Sequence, residues 1–248
     1  MCGIAGILNP EATTVNPAHL RGMVAAMRHR GPDDSGVHID GDVGLGHARL
    51  SIIDLEGGAQ PMLSEDRSLW ITFNGEIFNY VELRDELRSK GHRFATRSDT
   101  EVILHLYEEE GEKCVERMNG QWAFAIWDLR RRKLFLSRDR LGVRPLVYTK
   151  TPTRFLFASE IKALLACPDV DRTLDLHALD QIFTFWVTLP PRTAFRNIHQ
   201  LPPGHSMVVQ GGEVRVWQYW RPAYPAPDEL ASGKEDALAE ELLSLLSD

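Results

Sequence analysis

The chain has 248 residues, 43% hydrophobic and 25% charged, with a formal net charge of −7. That length allows a substantial core in one large or two small domains, and the acidic balance argues against a nucleic-acid or membrane partner. Cys2, Cys114 and Cys167 are odd in number and show no CxxC spacing, so neither a disulfide framework nor a structural zinc site is expected. No apolar run approaches the ~20 residues of a bilayer span, and the N-terminus lacks a signal-peptide layout. A reducing cytoplasm is the expected compartment.

MCGIAGIL opens the chain with a thiol directly ahead of a short buried-strand candidate, 4–8. NPAHLRGMVAAMRHR predicts a helix with Asn16 as N-cap, Pro17 at its first position, and Leu20, Met23, Val24 and Met27 on one face. HRGPDDSG, 29–36, reads as a turn fixed by Gly31-Pro32, with Asp33 and Asp34 available as caps. VGLGHARLSII and SLWITFNGEIF read as strands broken by glycines. NYVELRDELRSKG predicts a helix from Asn79 to a stop at Gly91, and SDTEVILHLYEEEG one with a capping box, Ser98 to Glu101, and a stop at Gly111. WAFAIWD, KLFLS, PLVYT and RFLFAS are short strands with tight connections, the pattern of antiparallel pairing; RRRK, 130–133, reads as a solvated hairpin turn between the first two. Strands, then helices, then strands, without βαβ alternation, predict an α+β fold with antiparallel sheets. RPAYPAPD, 221–228, is a proline-rich linker. A last helix follows, with a second capping box from Ser232 to Glu235 and with Leu238, Leu242, Leu245 and Leu246 sharing a face.

Cys2 is either a small buried hydrophobe of the first strand or, once Met1 is removed, a nucleophile carrying its own base. A free α-amine (ordinarily ~7.7–8.0) beside a thiol (~8.5) is a self-contained pair of that kind. An attacked carboxamide needs donors for its oxyanion. FNGE offers the Asn74 side-chain amide and the Gly75 N–H, although Asn-Gly is also the strongest short hairpin signal. Arg49 could clamp a substrate carboxylate through its planar fork, or be a surface arginine. Asp99, in a helix first turn, suits the helix dipole or a substrate ammonium, and Glu76 offers a second anion for that task. Asp33 and Asp34 have no further ligands around them in sequence, and the histidines lack zinc spacing, so no metal site is expected.

MCGIAGIL, HRGPDDSG, LGHARLSIIDLEGGAQPM, FNGEIFNYVELRDEL, SDTEVIL, GQWAFAIWD, SRDRLGVRPLVY, FASEIKALL and LPPGH follow one another along residues 2–220. Together they resemble the N-terminal glutaminase domain of glutamine-hydrolysing asparagine synthetases of the B type, which belongs to the class II, or N-terminal-nucleophile, glutamine amidotransferases. The resemblance implies a four-layer αββα sandwich of two antiparallel sheets between helices, removal of Met1, and Cys2 as nucleophile with its α-amine as base. It implies that L-glutamine sets its carboxylate on Arg49 and its ammonium near Asp99 and Glu76. The segment Leu50, Ser51, Ile52 and Ile53 would line the pocket, and Asn74 and Gly75 would form the oxyanion hole. HRGPDDSG and RDRLG are expected to be scaffold.

No cofactor is implied for this domain. ATP and Mg²⁺ are expected only for a synthetase domain whose SGGxDSS loop this sequence lacks. Residues 221–248 would be the linker and helix leading toward that domain, present in cis or as a partner chain, and a homodimer is left open. The chain is expected to be an excised N-terminal piece, with a stand-alone glutaminase as the other reading. Two further readings stand beside the glutaminase: a different acceptor for the ammonia, or a non-catalytic regulatory domain should Met1 be retained.

Overall fold

A computed structural model describes all residues except 12, 56, 227–233 and 248. In chain order the elements are β1 (Gly3–Leu8), α1 (Pro17–Ala25), β2 (Asp34–Asp40), β3 (Val43–Arg49), β4 (Met62–Leu63), β5 (Leu69–Ile77), α2 (Tyr80–Ser89), α3 (Asp99–Glu110) and α4 (Cys114–Arg117). They continue with β6 (Gly120–Asp128), β7 (Lys133–Arg138), β8 (Val147–Lys150), β9 (Phe155–Ala158), α5 (Ile161–Leu164), α6 (Leu176–Phe185), β10 (His199–Gln200), β11 (His205–Gln210), β12 (Glu213–Gln218) and α7 (Glu235–Ser247). One sheet runs β10-β8-β9-β1-β3-β2 and the other β12-β11-β7-β6-β5-β4.

Strand periodicity sorts the core into three layers. Inward-facing Ile4, Leu8, Val43 and Leu45 of the first sheet pack on Ala123, Ala125, Trp127, Leu134 and Leu136 of the second. On the outer face of the first sheet, Ala5, Ile7 and Ala48 meet Leu20, Met23, Val24 and Met27 of α1 and Ala163 and Leu164 of α5. On the outer face of the second, Ile71, Phe73, Phe124 and Ile126 meet Leu83 and Leu87 of α2 and Val102, Ile103 and Leu106 of α3. The result is the αββα sandwich. Gly46 lets α1 approach β3: a Cβ there would lie 2.5 Å from Val24 Cγ2.

The helix signals work as expected at α1, where the Asn16 side chain accepts from Ala18 N–H at 2.9 Å. At α3, Ser98 accepts from Thr100 N–H, but Glu101 does not close a capping box; its carboxylate takes the N–H groups of Ala95 at 2.8 Å and Thr96 at 2.7 Å. It caps the preceding loop instead. HRGPDDSG is a turn only in its first half, because Asp34 to Gly36 already pair with Arg49 to His47. The strand expected through LSII stops at Arg49. RRRK is the β6–β7 turn, with Arg130, Arg131 and Arg132 paired to Asp66, Asp128 and Asp42. Of the second capping box, Ser232 lies outside the described residues; α7 is helical and its leucines are exposed.

Asn74-Gly75 is not a hairpin tip. β5 runs straight through it, pairing with β6 from Leu69↔Asp128 to Ile77↔Gly120. The glycine is required by close approach rather than by a turn: a Cβ on Gly75 would lie 2.2 Å from Gln121 O and 2.8 Å from Trp122 Cα. Gly75→Ala is therefore expected to cost ~1–3 kcal/mol of overpacking strain in denaturant unfolding. Unchanged stability would contradict this strand register.

Candidate active site

The period of two that builds the inner core also builds the site. On β3, Val43 and Leu45 face the second sheet, so His47 and Arg49 do too. On β5, Thr72 reaches across to Gly46 O at 3.1 Å, so Asn74 and Glu76 fall on the same inward face. Cys2 lies two residues before inward-facing Ile4. The three strands thus bring Cys2, Arg49, Asn74 and Glu76 to one end of the inter-sheet space. There they line a narrow cavity of ≈ 70 Å³, together with Leu50, Ile52, Ile53, Gly75 and Asp99. A larger cleft of ≈ 590 Å³, bounded by Arg21, Arg28, Asp33 and Asp34, has no cysteine among its lining residues.

Cys2 is half-buried. Leu50 N–H points at its sulfur from 3.4 Å, and the thiol lies 3.5 Å from Leu50 O. Its carbonyl accepts from Arg30 Nε at 2.8 Å, and Arg30 is held in turn by Glu160 at 3.0 Å. Met1 is part of the cavity wall. While it is attached, the Cys2 nitrogen is an amide without basicity; its removal would both free the amine and enlarge the cavity. His47 offers no substitute base. Burial, helped by the nearby Arg49 charge, pushes its pKa down to about 3, far too low to take a thiol proton.

Arg49 is not a surface arginine; it is 7% exposed. Nη2 donates to Asp54 O at 2.7 Å and Nη1 to Leu55 O at 3.2 Å, so the guanidinium both lines the cavity and shapes the loop around it. Asp54 continues that loop, its carboxylate accepting from Gly57 N–H and Arg97 N–H. Asp99, also in the wall, accepts at Oδ2 from Ile77 N–H at 3.1 Å. Burial raises the Asp99 pKa, neighbouring Glu76 adds to the rise, and the N–H groups of Ile77 and Thr100 oppose it. A positive group bound here would relieve that cost.

The Asn74 side chain is 1% exposed and its Nδ2 has no hydrogen-bond partner among the described residues. Such an orphaned donor costs ~1–3 kcal/mol, and it stands on the wall of the same cavity as Cys2.

Of the residues that the resemblance assigns to catalysis and glutamine binding, only Ser51 is outside the wall; its N–H is taken by Asp33 at 2.8 Å. Several contributors carried no sequence signal. Gln60 accepts from Phe73 N–H at 2.6 Å and donates to Thr100 Oγ1 at 3.3 Å, tying the Arg49 loop to β5 and α3. Arg144 enters the wall from the RDRLGVR loop, which buried Asp139 anchors through N–H groups of Leu141, Val143 and Arg144. Arg30 and Glu160 are distant in sequence and each reads alone as a surface charge.

The cavity gathers a thiol, an amide donor without a partner among the described residues, a guanidinium and two carboxylates at one end of the sandwich. Residues 1–220 match the family described as glutamine amidotransferase domain, and the chain belongs to it. Curated relatives include asparagine synthetase [glutamine-hydrolyzing] 3 of Bacillus subtilis, 43% identical over 89% of this chain and 36% of that protein. Asparagine synthetase [glutamine-hydrolyzing] 1 of the same organism is 38% identical over 96% of this chain and 39% of that protein. The chain spans little more than a third of the length of these relatives. Among solved structures, the B. subtilis glutamine phosphoribosylpyrophosphate amidotransferase shares the fold, with a TM-score of 0.64 at 19% identity over 88% of this chain and 49% of that one. No helix among the described residues is long and apolar enough to cross a membrane.

The Arg30–Glu160 pair makes the Cys2 anchor sensitive to acid. Burial alone would raise the Glu160 carboxyl, but Arg30, Lys162 and His29 outweigh it and pull the pKa down to about 2. A carboxylate so depressed stabilises the fold fully above pH ~4.5, its ordinary value, and loses that contribution as pH falls toward 2. Glu160→Gln should therefore flatten the dependence of Tm on pH between 4.5 and 2; a profile as steep as wild type would show that Glu160 does not anchor the terminus.

Proposed function

We propose that this domain hydrolyses the side-chain amide of L-glutamine to glutamate and ammonia through a thioester on Cys2. Met1 is removed and the freed α-amine takes the thiol proton. The sulfur attacks the carboxamide carbon, and the oxyanion that forms accepts hydrogen bonds from Asn74 Nδ2 and Gly75 N–H. The amine returns the proton to the departing nitrogen, which leaves as ammonia, and water attacks the thioester to give glutamate and regenerate the thiol. Arg49 holds the glutamine carboxylate, Asp99 and Glu76 hold its ammonium, and the backbone from Leu50 to Ile53 closes the pocket.

The observation that carries this reading is the orphaned amide of Asn74, a buried donor with no partner on the wall of a cavity that also holds a thiol. The charges support it too, since Arg49 and the carboxylates of Glu76 and Asp99 all line the cavity. From the asparagine synthetase relatives we further propose that the ammonia serves an ATP- and Mg²⁺-dependent synthetase domain, in cis or as a partner chain, which makes asparagine. In this assignment residues 2–220 form the glutaminase and 221–248 lead to that domain.

Asn74→Ala should lower kcat for glutamate release by ~10²–10³ with little change in KM, and Cys2→Ala should abolish release while glutamine still binds. A near-normal kcat in Asn74→Ala would mean that the amide is a strand residue without a role in the reaction.

A further inference from the structure

A second cluster of ligating side chains lies away from the thiol, at the corner between α2 and α3. His92 follows the end of α2, and His105 and Glu108 stand one turn apart on α3. His92 Nδ1 is 3.0 Å from His105 Nδ1, His105 Nδ1 is 2.8 Å from Glu108 Oε2, and His92 Nδ1 is 3.5 Å from that same oxygen. Two ligands of one tetrahedral zinc ion, each ~2.0–2.2 Å from it, lie roughly 3.3–3.6 Å apart, so small rotations of these three groups give each a bond to a common ion. The linear spacing of the three matches no zinc signature, and sequence reading accordingly assigned no metal.

The surroundings are those of a metal site rather than of a surface ion pair. Each imidazole has a carboxylate at its other nitrogen: Glu109 Oε1 at 3.0 Å from His92 Nε2, and Glu101 Oε1 at 3.9 Å from His105 Nε2. Glu109 is within hydrogen-bond distance and fixes the His92 tautomer so that Nδ1 presents its lone pair to an ion, whereas Glu101 stands beyond hydrogen-bond distance of His105. His105 is 3% exposed, and its Nε2 has no hydrogen-bond partner among the described residues. Glu101 is itself held rigid by Ala95 N–H and Thr96 N–H. The cluster opens on a cleft lined also by Glu65, Asp66 and Lys90, which gives water access to a fourth coordination position. Lys90, the cation that lines this cleft, is drawn to Glu86 at 3.0 Å.

We propose that His92, His105 and Glu108 bind one zinc ion, with water as fourth ligand. Two nitrogens and one oxygen in tetrahedral reach suit zinc better than the oxygen-seeking cations. The ion would fasten the loop after α2 to α3, the helix whose first residue is Asp99.

The test is titration of the purified chain with zinc chloride alone, followed by calorimetry, by metal analysis after gel filtration and by thermal unfolding. Cys2→Ala, His92→Ala, Glu108→Gln and Glu109→Gln are carried in parallel, because an N-terminal thiol also attracts zinc. We expect one ion per chain in wild type and in Cys2→Ala, and a higher Tm with zinc in both. Glu109→Gln should weaken binding ~10–100-fold and the two ligand variants by more, with His92→Ala still unfolding cooperatively but no longer responding to zinc. Absence of binding, binding that persists in His92→Ala and Glu108→Gln, or binding lost in Cys2→Ala would each overturn the proposal.

Discussion

The nucleophile proposed here sits at the end of the chain and is useful only if that end is held still, a constraint that the first sheet meets. Chain termini normally fray. Here β1 begins at Gly3 and occupies an interior place in its sheet, paired on one side with β3 along its full length and on the other with β9. Ser159 grips Ile4 from both directions, its hydroxyl accepting from Ile4 N–H and its own N–H donating to Ile4 O. Arg30 then holds the carbonyl of Cys2 itself. Beyond that point only the thiol and the nitrogen remain to move, and those are the two groups the proposed reaction needs.

The second sheet turns this fixed end into a site. Packed face to face, the two sheets bury large side chains such as Trp127, Leu134 and Phe157 between them, each contributing ~1.5–3 kcal/mol by leaving water. That reserve lets the inner face carry groups that are costly when empty: a fully buried neutral imidazole at His47, an orphaned amide at Asn74, and a carboxylate at Asp99 whose pKa burial raises. A raised carboxyl is a destabilising one once it ionises, so Asp99 forgoes stability as pH rises through its folded pKa; in the proposed reaction that cost holds an anion ready for the ammonium of glutamine. Functional sites are where such costs collect. Arg49 is treated differently: two loop carbonyls bind its guanidinium, so it is oriented before any carboxylate arrives.

Much of this was legible in the residues. Asn16 and Pro17 announced α1, the apolar runs announced the central strands, and the ordered motifs from MCGIAGIL to LPPGH led to the family and its fold. The errors have physical causes. Asn-Gly predicts a hairpin when the chain must reverse, but at Asn74-Gly75 the missing side chain instead lets β5 lie close against β6. Ser98 and Glu101 have the spacing of a capping box, yet the loop before them offers Glu101 two better donors. The strand β2 went unread because HRGPDDSG is rich in turn formers, and its pairing comes from β3 rather than from its own pattern. Arg30, Gln60, Asp139 and Glu160 could not be found at all, since each acts through a backbone group or a charge brought near only by the tertiary fold.

The central claim is that Cys2 acts as an N-terminal nucleophile with its own amine as base. Intact mass of the purified protein before and after a glutamine-analogue alkylator, with glutamate release assayed on the same sample, tests it most directly. The account predicts loss of one methionine, one adduct on Cys2, and steady glutamate production that the adduct stops. A retained Met1 with no adduct and no glutamate would contradict it.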